Sequence, residues 1–231
     1  MTTTSLSGAQ HRVSYPGNAL IYKLMRAISR ALFTALTKCT VTGLENLPPG
    51  GPLLIVSNHL HWLDPPLVMA FLPYRAAVLA AAKYRRSIRG LVLRACGAIF
   101  VNRGEVDRVA LRKSLAILRA GGVLGIAPEG TRSPTGGLQQ GKKGAAYLAY
   151  RTDATLLPVV VWGVENVFPS LRRFRRASVG VAIGAPFKLP PVSGKPSSQD
   201  LVPATDLIMS KIAALLPARY RGVYDQTGSA R

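Results

Sequence analysis

Short apolar runs separated by longer stretches of mixed polarity dominate the chain from residue 40 onward, at Leu53–Ser57, Ala76–Leu79, Ala98–Val101, Val123–Ala127, Leu156–Val161 and Val179–Ile183. Runs that are apolar at successive positions predict strands covered on both faces. Between them Arg86–Ala95, Val106–Ala120 and Lys143–Arg151 have helical length and spacing. This alternation predicts an α/β fold with a mostly parallel central sheet flanked by helices. The Pro-, Ser- and Gly-rich stretch Leu189–Pro203 predicts a linker, followed by a helix at Ala204–Leu216 and a short polar tail.

Residues 18–38 carry a different pattern. At about 100° per residue, Leu20, Ile21, Leu24, Met25, Ile28, Leu32 and Leu36 fall on one side of a helix and Lys23, Arg26 and Arg30 on the other, with Phe33 off the stripe. Such a basic amphipathic helix suits a membrane surface, its apolar face in the headgroup boundary and its cations against anionic lipid. It equally suits packing on a core, and the pattern does not choose. Residues 1–18 lack an apolar signal-peptide core, so no secretory leader is expected there. No apolar run reaches the roughly eighteen residues of a membrane span. The chain thus divides into an N-terminal segment with this helix (1–39), an α/β domain (40–188), and a linker, helix and tail (189–231).

At 231 residues one domain is expected, and 48% hydrophobic against 17% charged residues excludes a disordered chain. The charge balance adds a constraint. Thirty Lys and Arg against ten Asp and Glu give +20, combined with a positive mean hydropathy of +0.20. Charge of this kind serves nucleic acid, whereas charge joined to apolarity also fits an anionic membrane. Arg172-Arg173-Phe174-Arg175-Arg176 keeps a basic RNA- or lipid-binding module in view. Cys39 and Cys96 have no metal-ligand spacing, which argues for a reducing compartment.

The densest chemistry is Asn58-His59-Leu60-His61-Trp62-Leu63-Asp64-Pro65, directly after an expected strand, where α/β sheets bind ligands. A neutral His59 imidazole would take a proton from a substrate hydroxyl if Asp64 held its other nitrogen. Two rivals stand beside this. Asp64 before Pro65 is a good helix cap, the better reading of those two residues in isolation. His59, His61 and Asp64 also resemble part of a metallohydrolase cluster, although His11 is the only other histidine. A second cluster, Ala127-Pro128-Glu129-Gly130-Thr131-Arg132-Ser133-Pro134, joins a guanidinium fork, a hydroxyl and a glycine that lets backbone approach, with Glu129 to orient Arg132. Arg103, after Phe100-Val101-Asn102, would lie on the same sheet edge and complete a dianion site.

Together and in this order, these segments resemble the glycerolipid acyltransferase family, whose best-known members are 1-acyl-glycerol-3-phosphate acyltransferases. The resemblance spans Leu53 to Gly163: Asn58–Pro65 is similar to the family's Asn-His-x4-Asp block, Ile99–Arg103 to its arginine block, Pro128–Ser133 to its Pro-Glu-Gly-Thr-Arg-Ser block and Leu157–Gly163 to its proline block. Gly141–Ala146 is similar to its Phe-Lys-x-Gly segment, and Ala82-Lys83 to a lysine after the second strand. The resemblance implies acyl transfer from acyl coenzyme A or acyl carrier protein to the free hydroxyl of a lysophospholipid, with 1-acyl-glycerol-3-phosphate the implied acceptor and phosphatidic acid the product. It implies His59 as general base and Asp64 as its orienter, and acceptor binding by Arg103, Glu129, Gly130, Thr131 and Arg132, with Lys83 and Lys143. It implies no metal and no cofactor beyond the acyl donor, no nucleic-acid partner, and a peripheral or monotopic place at the cytoplasmic face of the cell membrane. Three positions depart from the family pattern: His61 where many members have Ser, Ala127 where an aromatic precedes the Pro-Glu block, and Gly141 where a Phe precedes the first lysine.

Overall fold

The computed structural model describes residues 13–102, 104 and 107–225. The elements in chain order are α1 (Ala19–Leu36), β1 (Thr37–Thr42), β2 (Leu53–Val56), α2 (Asp64–Phe71), β3 (Ala76–Ala81), α3 (Ile88–Ala95), β4 (Ala98–Val101), α4 (Arg108–Arg119), β5 (Val123–Ile126), α5 (Gly144–Thr152), β6 (Thr155–Trp162), α6 (Val167–Leu171), β7 (Ala177–Ile183) and α7 (Ser198–Leu215). Among the described residues seven strands form one sheet in the order β1-β7-β6-β2-β5-β3-β4. Every neighbouring pair is parallel except β6 and β7. This is the α/β architecture the apolar runs predict.

The runs are apolar at every position because both sheet faces are covered. Leu54, Val56, Leu124, Leu156 and Val160 point into a core closed by residues of α4, α5 and α7, among them Leu118, Leu148 and Ile212. Their neighbours Leu53, Ile55, Val123, Leu157 and Val161 point the other way, against Phe33 of α1 and Leu67 and Ala70 of α2. Successive strand side chains alternate faces, so one continuous run feeds both layers.

Three features differ from the expectations. Thr37–Thr42 is a strand, where the helical period extended to residue 38; its β-branched residues pair along β7 from Thr37 opposite Ala177 to Thr42 opposite Ala182. The boundary at 39/40 therefore falls inside β1. The linker reading of Leu189–Pro203 ends early, since α7 starts at Ser198 with Ser197 and Asp200 forming a reciprocal capping box. Pro203 sits inside that helix, and Ile208, Met209 and Ile212 are fully buried in the core. Finally α2, where the Asp64-Pro65 pair suggests a helix start, and α6, where the pattern assigns no element, are both short helices.

Asn18 caps α1 by accepting the N–H groups of Leu20 and Ile21 at 2.8 and 3.2 Å. The helix packs through Tyr22, Ser29 and Phe33, the last being the residue off the apolar stripe. Tyr22 also donates its hydroxyl to the Tyr74 carbonyl at 3.0 Å. The stripe itself faces outward: Leu20, Ile21, Leu24, Ile28, Leu32 and Leu36 are all exposed, Leu20 by 74%. Among the described residues no helix is long and apolar enough to cross a membrane.

Candidate active site

The parallel strands deliver their following loops to one edge of the sheet. His59 follows β2, Lys83 and Tyr84 follow β3, Asn102 follows β4 and Pro128 follows β5. The Asn58 side chain locks the first loop to β6, donating to the Val161 carbonyl at 2.8 Å and accepting the Val161 N–H at 2.9 Å. Asp64 shapes the rest of that loop. Its Oδ2 lies 2.9 Å from His59 Nδ1 and accepts the N–H groups of Leu60 and His61, both at 2.7 Å. Oδ1 is buried without a partner among the described residues. Asp64 is thus not the cap of α2: it is the first helical residue, followed by Pro65 and Pro66 where missing N–H groups cost nothing. Its carboxylate reaches back into the loop and holds one imidazole nitrogen, leaving Nε2 for a substrate.

Glu129 ties the second cluster to the first. It is 2% exposed; Oε1 accepts the His59 N–H at 2.8 Å and Oε2 the Gln139 N–H at 3.0 Å. A second link runs from the Ser133 N–H to the His59 carbonyl at 2.8 Å. Burial raises the Glu129 pKa above its ordinary value, against the lowering effect of these donors. Glu129 therefore braces the His59 backbone and does not orient Arg132. Arg132 instead donates to the Tyr84 hydroxyl at 3.4 Å, and the Lys83 ammonium lies 5.3 Å from the Tyr84 ring centre, so both cations share one exposed rim. Gly130 has φ +72, and a Cβ there would meet the Lys142 side chain at 3.0 Å. Thr131 contributes its carbonyl to Gln139 at 3.5 Å. Arg103 lies outside the described residues.

A cavity of about 360 Å³ opens beside His59. Its polar lining includes His59, Asn102 and Lys142 beside Gly130, and its apolar lining includes Val68, Met69 and Leu72 of α2 with Val78, Leu79 and Ile126 from strands. Tyr22 and Tyr74 also line it. The cavity thus joins the Asp64-held His59 imidazole and the Lys142 ammonium to a mainly apolar lining. Among the described residues no three His, Cys, Asp or Glu side chains converge as a metal site would require.

A family model described as Acyltransferase matches residues 38–162. The chain belongs to the acyltransferase family. It is 34% identical over 153 residues to the 1-acyl-sn-glycerol-3-phosphate acyltransferase of Borreliella burgdorferi, a match covering 64% of this chain and 61% of that protein. It is 30% identical over 169 residues to 1-acyl-sn-glycerol-3-phosphate acyltransferase alpha of Homo sapiens, covering 71% and 58%. The chain spans about three-fifths of the length of these curated relatives. The crystal structure of the 1-acyl-sn-glycerophosphate (LPA) acyltransferase PlsC from Thermotoga maritima is similar with a TM-score of 0.66 at 27% identity, over 91% of this chain and 80% of that one.

Within this acyltransferase fold the two adjacent lysines are placed differently. Lys143 donates to the Ser198 hydroxyl at 2.8 Å, at the start of α7 and away from the cavity. Its neighbour Lys142 lines the cavity beside Gly130. The adjacent lysines point apart because the Lys142 N–H is fixed to the Pro128 carbonyl at 2.8 Å, immediately before α5 begins. Gly141 replaces a bulky family residue for a packing reason: a Cβ there would lie 2.5 Å from Met209 and 2.8 Å from Thr205 of α7. His61 packs with Trp62 and Phe168, ring centres 5.5 and 6.5 Å away. Burial lowers its pKa, opposed by Asp64 and reinforced by Arg132, which favours the neutral ring.

Proposed function

We propose that this acyltransferase moves a fatty acyl group from acyl coenzyme A or acyl carrier protein to the free hydroxyl of 1-acyl-glycerol-3-phosphate, giving phosphatidic acid. The observation that carries the reading is the His59–Asp64 contact of 2.9 Å in the lining of a mainly apolar cavity. In this reading the acceptor oxygen attacks the thioester carbonyl carbon while His59 Nε2 takes its proton. Asp64 stabilises the imidazolium, the carbon–sulfur bond breaks, and the proton passes to the departing thiolate, leaving free thiol and a new ester. Val68, Met69, Leu72 and Leu79 offer an apolar lining for hydrocarbon. Arg132, Lys142, Lys83 and the Gly130 backbone, together with Thr131 and Arg103, supply the donors for the acceptor's phosphate.

An acceptor dissolved in a bilayer must be reached from its surface. The outward apolar face of α1, with exposed Lys23 and Arg30 beside it, supports a peripheral place at the cytoplasmic face of the membrane. The direct test offers the purified protein a panel of lysolipids with a labelled acyl thioester. Thiol release only with phosphomonoester acceptors is expected; equal release with choline or ethanolamine lysolipids would point to a different acceptor, and none with any would refute acyl transfer.

The two lysines give a sharper check. Arg132→Ala and Lys142→Ala each lose a charge-assisted contact to the phosphate, which should raise the acceptor KM about tenfold or more. Lys143→Ala should leave acceptor kinetics near wild type, because its ammonium is engaged by Ser198. Steady-state titration of the acceptor at saturating donor decides; a KM effect confined to Lys143→Ala would reverse the assignment.

A further inference from the structure

The basic run Arg172–Arg176 is left unused by the chemistry above, and its backbone is unusual. It forms the turn between α6 and β7, closed by the Phe174 N–H to the Leu171 carbonyl at 3.0 Å and the Arg175 N–H to the Ser170 carbonyl at 2.9 Å. This helix-ending turn needs a left-handed residue, ordinarily glycine. Here Phe174 occupies it with φ +53. The side chain is fully exposed, at 101% of its reference area, so no intramolecular packing offsets the strain. Arg172, Arg173 and Arg175 are exposed around it, and among the described residues none has a carboxylate partner. Arg176 fastens the base of the turn to the carbonyls of Thr34 and Thr37, where α1 meets β1.

The topology places this turn at the active-site edge. β7 runs antiparallel to β6, so its first residue lies at the edge where the parallel strands end. On the same edge Trp62 and Phe168 stack at 5.8 Å, both about half exposed. Leu32 and Leu36, the last exposed residues of the α1 stripe, lie on the helix end that Arg176 grips.

We propose that the Arg172–Arg175 turn is an anionic-bilayer contact, with Phe174 inserted at the headgroup boundary and the three arginines on lipid phosphates, pressing the His59 edge against the leaflet. The inference rests on the reading of a membrane-borne acceptor only for its purpose; the contact itself is measurable without catalysis. Charge complementarity selects the occupant: the chain carries +20, and the turn joins unpaired guanidinium groups to one exposed aromatic wedge.

The test measures partition of the full chain onto sedimented vesicles of phosphatidylcholine, with and without phosphatidylglycerol, at low and high salt. Phe174→Gly should weaken binding to anionic vesicles about tenfold through lost apolar insertion. It should not lower Tm, because glycine adopts the left-handed turn freely. Arg172→Gln/Arg173→Gln/Arg175→Gln should weaken it on the order of a hundredfold at low salt, with little effect on pure phosphatidylcholine. Phe174→Trp should keep wild-type partition. Acyl transfer to a short-chain acceptor dissolved as monomers should be equal in all of them. Wild-type partition of the glycine and glutamine variants overturns the proposal, as does loss of affinity for an RNA oligonucleotide with vesicle binding intact. A fall in Tm for Phe174→Gly at unchanged partition makes Phe174 a structural residue and also overturns it. Absence of transferase activity in the wild type would refute the proposed function and leave the partition result standing.

Discussion

His59→Ala is expected to lower acyl transfer by about 10²- to 10⁴-fold, the usual contribution of a positioned general base. Folding should survive, because most of what His59 itself contributes to holding this loop comes from its main chain. The His59 N–H still reaches Glu129 at 2.8 Å, and the Ser133 N–H still reaches the His59 carbonyl. Asp64 loses one of its three donors and keeps the N–H groups of Leu60 and His61. The check is a thiol-release assay beside thermal melting and vesicle partition. Activity within a few fold of wild type, in a protein of unchanged Tm, would reject His59 as the base. Asp64→Ala should behave differently, losing stability as well as rate, since two backbone donors would be left without their acceptor.

Glu129→Ala should cost both stability and activity, although Glu129 is placed here as a positioning residue. Two N–H donors in a nearly closed environment lose their acceptor, at roughly 1–3 kcal/mol each. With the brace gone, the His59 loop is free to drift from its productive place, so kcat should fall by more than tenfold. Glu129→Gln keeps an acceptor oxygen and should recover part of both. A residue that merely bound the acceptor would show the opposite split, a raised KM at unchanged Tm.

The buried carboxyl also predicts a pH signature. Its folded-state pKa lies above the ordinary 4.5, with burial the main cause. The folded protein therefore holds a proton that the unfolded chain has released, and stability declines as pH rises from about 4.5 through the raised value. Glu129→Gln cannot titrate, so the melting difference between wild type and this variant should shift in the variant's favour over that window. A difference independent of pH would show that burial does not govern this group.

Much of the fold was legible because its causes are local. Ala98–Val101 is a strand with the predicted bounds, and the strand at 53 ends within one residue, since runs apolar at every position have few other uses at that length. β1 was not legible: Thr37-Lys38-Cys39-Thr40 alternates buried and exposed only because β7 lies beside it. The start of α7 was hidden behind Pro203, which lies inside a helix whose Ile208 and Met209 are fully buried in the core.

Sequence alone determined the layered α/β class and the five-residue spacing that lets His59 and Asp64 meet, because strand periodicity and a tight loop act over a few residues. Tertiary structure decided which neighbour in Lys142-Lys143 enters the cavity, that Glu129 braces a backbone 70 positions earlier, and that α1 turns its leucines outward. Those outcomes depend on which surfaces separate parts of the chain present to one another. No local pattern encodes that, since a buried carboxylate or an apolar helix face has its meaning only from what packs against it.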